Sequence, residues 1–344
     1  MLTPDALRSW TTRILRQTGA SEEAADVTAR LLVDTSRRGL DSHGVVFLSF
    51  YLPRLRAGTT RGDARPEIAV DLPALALVDG HDGLGAYVAS FAMELACDKA
   101  ASAGAAVVVV RRSSHFGAAS CYAELAARRG FVGLVLSNSD PGMAPAGALG
   151  PILGTNPLAL AAPAPTDVLL PSLDIATSVV AQGRIILASR AGTTIPGDWA
   201  IGPDGHPTDD PDEALAGSVL PMGGHKGLGL AFMIDVLTAC IGGSLLSADI
   251  SGDPASPTPQ DTGHFFLAVR ADALRSLRDY EDSLRRLIGI VHGAPRADWA
   301  EPFLIPGERE AVVAAERADA IPLPEPTVAL LRGLGDEYGI TFPA

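Results

Sequence analysis

The sequence predicts a protein of the α/β class, in which helices pack on sheets. Two observations indicate this class. Hydrophobic residues make up 47% of the 344 residues and aromatic residues only 5%, a composition that suits helices on sheets better than an aromatic-rich binding module. Apolar segments with helical spacing also alternate with short continuous apolar runs, which are typical of buried strands. A chain of this length can bury one large core or two moderate ones.

The N-terminal segment, roughly the first 55 residues, is predicted to be helical. Thr3-Pro4-Asp5 combines an N-cap hydroxyl, a proline in the first turn and an acid near the positive end of the helix dipole. Ser21-Glu22-Glu23 starts a second helix, and Asp41 or Ser42 can cap a third, which Pro53 bends or ends. The segment Asp41-Ser42-His43-Gly44 is therefore expected at a junction between helices.

The rest of the chain is predicted to alternate strands with helices. The predicted strands are 74–78, 105–110, 132–137, 158–161, 173–178 and 265–269. The predicted helices are 87–102, 119–129, 223–242 and two C-terminal helices separated by Pro322-Leu323-Pro324. Residues 140–154 and 247–263 are rich in turn formers and are predicted loops, the second of them mobile, and Asp204-Gly205 is a strong turn signal.

Charge and cysteine content exclude several classes of function. The net charge is −13 with no cluster of Lys and Arg, so a nucleic-acid partner is not expected, because phosphate binding needs a concentrated basic surface. Three scattered cysteines, no Cys-x-x-Cys and no His-x-x-x-His give no support for a disulfide framework or a metal site. The start of the chain has no signal-peptide layout, and no apolar run reaches the ~18 residues of a membrane span. A soluble, cytoplasmic protein with no membrane partner is expected.

Two of the seven histidines, His43 and His115, occupy positions typical of a site. Each lies at the boundary of a predicted element, with a serine immediately before it and a glycine within two residues after it. A boundary position can project a side chain into a cleft, and glycine permits close approach of a ligand. The spacing alone leaves a structural role open for both. Ser42 beside His43 does not indicate a hydrolase, since no Gly-x-Ser-x-Gly elbow occurs.

Glycine-rich segments give only weak signals for phosphate binding. Gly83-Leu84-Gly85 and Gly227-Leu228-Gly229 both lack the third glycine of the Rossmann fingerprint, so a usual Rossmann site is not supported. Residues 223–227, Gly-Gly-His-Lys-Gly, could present backbone N–H groups and the Lys226 charge to a phosphate. The same residues could equally be a turn at the start of a helix.

Several segments, taken in order, resemble the type-2 malate/L-lactate dehydrogenase-like oxidoreductases. The matching segments cover most of the chain, and their common order is more specific than any one of them. They are 38–45 (Arg-Gly-Leu-Asp-Ser-His-Gly-Val), 113–119 (Ser-Ser-His-Phe-Gly-Ala-Ala), 153–157 (Leu-Gly-Thr-Asn-Pro), 174–178 (Asp-Ile-Ala-Thr-Ser), the 199–215 region and 224–230 (Gly-His-Lys-Gly-Leu-Gly-Leu).

The resemblance implies a fold, a cofactor and an assembly. The fold would be a non-Rossmann dinucleotide-binding fold with a largely antiparallel sheet plus a helical N-/C-terminal domain, divided into residues 1–117 with 296–344 and residues 118–295. The cofactor would be NADH or NADPH, the substrate a small molecule, and the assembly a homodimer with its sites near the subunit interface. The implied cofactor contacts are Ser139, Asp174, Ile175, Ala176, Thr177, His225, Lys226, Gly227, Pro306, Gly307 and Glu308.

The resemblance also gives the histidine a chemical role. Hydride addition to a ketone or imine carbon leaves negative charge on oxygen or nitrogen, and His43 would supply the proton, since an unperturbed histidine pKa of ~6.5 permits donation near neutral pH. Asp174, if it reaches His43, would orient the ring and favour its protonated form. Ser42, His115 and Thr155 are candidate polar contacts to substrate or nicotinamide.

Two positions depart from the family pattern. Phe47 stands where the family usually has an arginine four residues after the motif histidine, an arginine expected to hold a substrate carboxylate. Ala146 replaces the tryptophan of the family's Ala-Pro-Trp-Gly loop. Both changes predict a more apolar pocket for a larger ketone or a cyclic imine rather than a small 2-oxo acid.

Two other functions stay open at this point. The first is an ordinary 2-hydroxy-acid dehydrogenase in which Arg37, Arg38 or Arg54 holds the carboxylate. The second is a non-catalytic relative that binds a nucleotide or a partner, which the presence of Ser42-His43, Asp174 and Lys226 argues against.

Overall fold

The computed structural model describes residues 2–343, apart from the side chain of Arg190, and shows a mixed α/β fold. The helices are α1 (Pro4–Gln17), α2 (Glu22–Arg37), α3 (Leu48–Ala57), α4 (Gly85–Ala103), α5 (Ser120–Arg128), α6 (Gln182–Ala191), α7 (Pro211–Ala216), α8 (His225–Asp235), α9 (Leu277–His292), α10 (Glu308–Glu316) and α11 (Glu325–Glu337). The strands are β1 (Glu67–Leu72), β2 (Leu75–Asp79), β3 (Ala105–Ser113), β4 (Phe131–Ser137), β5 (Pro141–Met143), β6 (Leu153–Gly154), β7 (Leu158–Ala161), β8 (Ser172–Ile175), β9 (Ala200–Ile201), β10 (Pro207–Thr208), β11 (Ser218–Val219) and β12 (Thr262–Arg270).

The predicted antiparallel sheet is confirmed as a seven-stranded sheet in the order β1-β2-β3-β12-β4-β7-β8. Every neighbouring pair in it is antiparallel except β2 and β3. The late strand β12 lies at the centre, between β3 and β4. No residue of β3 or β12 is exposed on either face, which explains why residues 105–110 and 265–269 are continuous apolar runs. Helices α4 and α5 cover one face and bury the largest apolar core, which includes Val108, Tyr122 and Phe266.

A second, five-stranded sheet in the order β10-β9-β11-β5-β6 was not predicted from the sequence. Its strands have two or three residues each, too few to show an apolar alternation. The predicted turn at Asp204-Gly205 is confirmed, since it joins the antiparallel strands β9 and β10. Four longer elements, β1, α6, α7 and α9, were also missed, although α9 carries apolar residues at helical spacing.

The N-terminal helices share a core with the C-terminal segment. Trp10 of α1 packs edge-on against Phe342, and its indole N–H donates to the Ile340 carbonyl at 3.2 Å. Leu331 of α11 is fully buried in the same cluster. The ends of the chain therefore fold together, whereas the grouping of 1–117 with 296–344 as one domain stays a prediction. The boundary at residue 117 stays a prediction, because strands from both of its sides pair in the large sheet.

The predicted third helix begins later than expected. Asp41–His43 and Val45–Phe47 form two short 3₁₀ turns, and α3 starts only at Leu48. The expectation that Pro53 bends or ends this helix is wrong about its end, because α3 continues to Ala57 and stops at the left-handed Gly58. Residues 247–263 are largely irregular, as predicted for a loop. Within residues 2–343, no helix has both the length and the apolar character that crossing a membrane requires.

Candidate active site

Pairing in the large sheet brings four chain segments to one edge. Strands β3 and β4 both run antiparallel to β12 and therefore parallel to each other, so they end together. Strand β7 begins beside the end of β4, and β8 ends beside the start of β7, since Leu158 pairs with both Leu136 and Ile175. The segments that flank these strand ends carry His115, Ser139 and Thr155. The sheet therefore gathers residues that are far apart in the sequence.

A cavity of 1320 Å³ opens at this edge, between the sheet, the Asp41–His43 turn and the start of α10. The predicted site residues that line it are Ser42, His43, Phe47, His115, Ser139, Thr155, Asp174, Ile175, Ala176, Pro306 and Gly307. The predicted site residues that do not line it are Ala146, Thr177, His225, Lys226, Gly227 and Glu308. Most of the predicted site residues thus share one cavity.

The turn that carries His43 is held from two sides. Gly44 lies so close to α2 that a Cβ there would come within 2.0 Å of Ser36 Oγ, and Val45 N donates to the same oxygen at 3.1 Å. On the other side, the Arg317 guanidinium donates to the Ser36 carbonyl at 2.6 Å and to both Asp41 carboxylate oxygens at 2.9 and 3.3 Å. The backbone on either side of His43 is therefore fixed by both ends of the chain.

Three rings are stacked at the His43 end of the cavity. The rings of His43, Phe47 and His115 pack against one another in a triangle, with centroid distances of 5.4 Å (His43–Phe47), 4.3 Å (Phe47–His115) and 5.9 Å (His43–His115). Phe50 and Tyr51 pack around the stack. Phe47 packs beside both histidines, so this end of the cavity has an aromatic wall where a cation would be expected from the family pattern.

Hydrogen bonds define the state of the His115 ring. Its Nδ1 accepts from the Tyr51 hydroxyl at 2.8 Å and from Gly117 N at 3.4 Å. Because a backbone N–H can only donate, Nδ1 carries the lone pair and the proton of the neutral ring is on Nε2. Burial, followed by the neighbouring His43 and His264, lowers the pKa of His115 to about 3. His115 is therefore a neutral hydrogen-bond donor at physiological pH.

His43 is half-buried, and its Nδ1 is hydrogen-bonded to Ser42 Oγ at 3.0 Å. Burial lowers the pKa of His43 below its usual 6.5. The expected contact between Asp174 and His43 is not among the hydrogen bonds of residues 2–343. Asp174 Oδ2 instead accepts from Ser120 N, at the start of α5, at 2.8 Å. Burial raises the pKa of Asp174. Asp174 and His43 nevertheless line the same cavity.

Some predicted cofactor residues support the cavity wall from behind. Thr177 is fully buried, and its hydroxyl donates to the Thr155 carbonyl at 2.9 Å. Gly227 lies directly behind it, since a Cβ at Gly227 would meet the Thr177 carbonyl at 2.4 Å. Glu308 accepts from Ile305 N at 2.8 Å and so shapes the turn before α10. His225 lies at a separate hollow near Phe232.

The cavity has room and polar groups for a dinucleotide. Its volume exceeds the roughly 300–1,000 Å³ of pockets for drug-sized ligands. Ser172 in the wall has a buried hydroxyl with no hydrogen-bond partner among the described residues. Gly307, at a φ of 94°, lies against the Ser172 backbone, and a side chain there would both strain the chain and crowd this wall. An unpartnered hydroxyl beside an exposed backbone turn fits the hydroxyl and phosphate groups of a nucleotide.

Sequence reasoning missed one cation of the cavity. Of the four arginines in the lining, Arg37, Arg38 and Arg128 form ion pairs with Asp34 or Glu124. Arg309 forms none within residues 2–343. Its place two residues after Gly307, in the first turn of α10, suits a phosphate group. Its proximity to the predicted Pro306-Gly307-Glu308 segment was the only signal in the sequence.

The cavity, the paired histidines and the nucleotide-like wall define an oxidoreductase site. The family model of the malate/L-lactate dehydrogenases matches residues 2–332. The sulfolactate dehydrogenase structure from Methanocaldococcus jannaschii superimposes with a TM-score of 0.92 at 34% identity, covering 99% of this chain and 98% of that one.

Two further relatives are named for two different reactions. The (2R)-3-sulfolactate dehydrogenase (NADP(+)) of Chromohalobacter salexigens is 36% identical over 321 residues, 92% of this chain and 93% of that protein. The Δ1-pyrroline-2-carboxylate/Δ1-piperideine-2-carboxylate reductase of Pseudomonas putida is 37% identical over 267 residues, 76% and 77% of the two chains.

The chain belongs to the malate/L-lactate dehydrogenase family. It is an NAD(P)-dependent dehydrogenase or reductase, as the sequence resemblance implied.

Loss of the Arg317 clamp should impair catalysis more than cofactor binding. Replacing Arg317 with Gln removes the contacts to Asp41 and Ser36, so the His43 turn can shift, and a displacement of ~1 Å can lower turnover up to about a hundredfold. We expect kcat on a ketone or imine turned over by the wild type to fall at least tenfold, with the Kd for NADPH changed less than threefold. Arg332→Gln, which breaks an exposed ion pair with Glu325, is the control. Equal effects of the two changes would contradict a positioning role.

Proposed function

We propose that this enzyme reduces a ketone or a cyclic imine, with His43 as the proton donor. The observation that carries the proposal is the His43–Phe47–His115 stack, which lines one cavity with the predicted cofactor segments. Bound NADH or NADPH supplies the hydride. The cytoplasmic location predicted from the sequence stays a prediction.

The two histidines have separate roles in this proposal. His115, neutral with its proton on Nε2, donates a hydrogen bond that orients the substrate heteroatom. His43 transfers a proton to the heteroatom as negative charge develops there, and Ser42 holds its Nδ1. The lowered pKa of His43 makes its protonated ring a stronger acid than an ordinary imidazolium, which favours proton transfer to substrate.

The lining argues against an ordinary small 2-hydroxy acid as substrate. Phe47 stacks on both histidines and cannot hold a carboxylate. Arg37 and Arg38 line the cavity but are paired with Asp34 and Glu124, and Arg54 donates to the carbonyls of residues 251 and 253 instead of lining the cavity. Since Ala146 does not line this cavity, the proposed change of substrate rests on Phe47 alone.

The alternative substrate class, a small 2-hydroxy acid, is supported by the names of the sulfolactate and malate dehydrogenase relatives. In this chain it would need Arg309 to hold the carboxylate, because Arg309 is the unpaired arginine of the described lining. A non-catalytic relative is no longer a candidate, since the chain belongs to an enzyme family.

Replacing His43 with Gln should remove the pH dependence of catalysis. A proton donor must be protonated, so the wild-type kcat/KM for reduction should fall as pH rises through the pKa of His43, which burial places below 6.5. For alcohol or amine oxidation the neutral ring is the base, so kcat/KM should rise to a plateau over the same range. H43Q should lose this limb and about 10²–10⁴ in kcat while still binding NADPH. A retained limb in H43Q would exclude His43 as the proton-transfer group.

Replacing Phe47 with Arg should restore activity on small 2-oxo acids. A charge-assisted pair with a carboxylate contributes roughly 1.5–3 kcal/mol, about ten- to a hundredfold in kcat/KM. Pyruvate and 2-oxosuccinate are suitable probes, and Phe47→Leu is the control, because it opens the stack without adding charge. Wild-type kcat/KM of ~10⁴ M⁻¹s⁻¹ or more on either acid would contradict the proposed change of substrate.

We also propose that the chain forms a homodimer through the apolar face of α8. Residues 228–234 of this helix are all apolar or glycine, yet Phe232, Met233 and Leu230 are 59%, 51% and 42% exposed. Ile152 and Leu153 border the same face across a hollow of 560 Å³. A contiguous exposed apolar face is typical of an interaction surface, and a second copy is the partner the family resemblance implies.

Light scattering after size-exclusion chromatography measures this assembly. The wild type should have twice the 35.5 kDa mass of one chain, and Phe232→Glu should shift it to the monomer, since a charge in an apolar interface has no partner. Leu274→Glu, at a residue that is 96% exposed, is the control and should remain dimeric. A wild-type monomer at micromolar concentration would overturn the proposed dimer.

A further inference from the structure

The cavity wall beside His115 contains a buried amide side chain that uses only one of its two ends. Gln260 comes two residues before β12, is 4% exposed and lines the cavity. Its Oε1 accepts from the backbone N of His115 at 3.0 Å. Because a backbone N–H can only donate, the atom that faces it is the amide oxygen, and Nε2 is the free end of the side chain. Nε2 donates to no other group within residues 2–343.

Two other buried amides near this edge of the sheet use both of their ends. Asn138 accepts from Gly263 N at 2.9 Å through Oδ1 and donates to the Leu245 carbonyl at 2.8 Å through Nδ2. Asn156 likewise accepts from one backbone N–H and donates to one carbonyl. These two side chains hold segments of the chain together, whereas Gln260 keeps its N–H groups for a ligand.

The free N–H groups of Gln260 face the cavity at its histidine end. Nε2 is not among the fully buried side-chain atoms that lack a partner within residues 2–343, so it keeps some accessible surface. Since the residue is otherwise buried and lines the cavity, that surface borders the cavity. The His115 residue to which Gln260 is bonded has its ring 4.3 Å from the Phe47 ring and 5.9 Å from the His43 ring, centroid to centroid.

Strained backbone at two strand ends supports this arrangement. Arg112, three residues before His115, has a φ of 49°, and Asp261, the neighbour of Gln260, has a φ of 45°. Side chains other than glycine rarely adopt this left-handed region. Arg112 N donates to Asp261 Oδ1 at 2.7 Å, so the two strained residues hold each other. Such strain persists where the surrounding structure enforces it and is common at ligand sites.

We propose that Gln260 binds the substrate through a hydrogen bond from Nε2 to a carbonyl oxygen. An amide N–H is an uncharged donor, which suits a neutral oxygen acceptor better than a cation. The same side chain holds the backbone of His115, so one residue fixes the histidine and the ligand relative to each other. This inference rests on the proposed function for its ketone substrate.

Binding to the enzyme saturated with NADP⁺ tests the hydrogen bond without turnover. Pyruvate, 2-oxosuccinate and cyclohexanone are titrated by calorimetry, and the ketone that the wild type binds most tightly becomes the probe. Gln260→Met removes the donor at similar side-chain length, so we expect the Kd of the probe to rise about three- to tenfold, with the Kd for NADPH changed less than twofold. An unchanged Kd of the probe in Q260M would overturn the proposal. A rise in the Kd for NADPH alone would place the acceptor on the nicotinamide carboxamide and would overturn it as well.

A second variant separates ligand binding from support of His115. Gln260→Glu keeps an oxygen for the His115 N–H in both of its charge states, but only its protonated form can donate to a ligand. We expect the affinity of Q260E for the probe, relative to the wild type, to fall about tenfold or more as pH rises through the pKa of the new carboxyl. If Gln260 only supports His115, Q260E should match the wild type at every pH, which would contradict the proposal.

Gln182→Glu is the matched control for charge. Gln182 is exposed and lines the same cavity, so this variant adds the same negative charge without removing the Gln260 donor. Q182E should bind the probe as the wild type does. Equal losses in Q182E and Q260E would assign the effect to charge and overturn the hydrogen bond.

Reduction assays separate this inference from the proposed function. If binding of the probe depends on Gln260 but no ketone is reduced by NADPH, the proposed function fails and the hydrogen bond stands. If the wild type, Q260M and Q260E reduce the probe with equal kcat/KM, hydride transfer stands and the role of Gln260 is overturned.

Discussion

The pairing of β12 between β3 and β4 is the constraint on which the rest of the site depends. Because both neighbours run antiparallel to β12, their ends meet at one edge, and β7 and β8 continue the same alternation. His115, Ser139, Thr155 and Asp174 lie at this edge although they span 60 residues of sequence. A shift of one residue in the β12 register would exchange the two faces of the strand and separate these side chains.

The second half of the site comes from outside the sheet. His43 stands on a short turn between α2 and α3, and this turn is held by Ser36 on one side and Arg317 on the other. Arg317 follows the last residue of α10. The start of α10 lies beside Ser172 in the cavity wall. A single C-terminal helix therefore connects the nucleotide-like wall with the proposed proton donor, which explains why the chain ends must fold together before the site is complete.

The sequence predicts the fold class and eleven of the residues that line the cavity, because strong local signals identify them. β-Branched runs predict the central strands, and the Ser-His-x-Gly and Asp-Ser-His-Gly segments identify the histidines. The small sheet could not be predicted, since its strands are too short for a pattern. The stacking of Phe47 on His115, 68 residues away in the sequence, depends on tertiary contacts. The unpaired state of Arg309 depends on where the carboxylates of other elements lie. Thr177 and Gly227 were assigned to the cofactor but support its wall from behind, because burial is not visible in a motif.

The charges of the lining residues decide which part of a ligand binds at each end of the cavity. Burial lowers the pKa values of both histidines and so favours their neutral forms, and the ring of Phe47 beside them adds no charge. The central claim is that this neutral, aromatic end of the cavity holds the reacting part of the cofactor. A crystal structure with NADH or NADPH bound measures this most directly. The account predicts the nicotinamide ring in contact with the His43–Phe47–His115 stack and the phosphates toward Ser172 and Arg309. A nicotinamide bound at the His225 hollow, away from the stack, would contradict it.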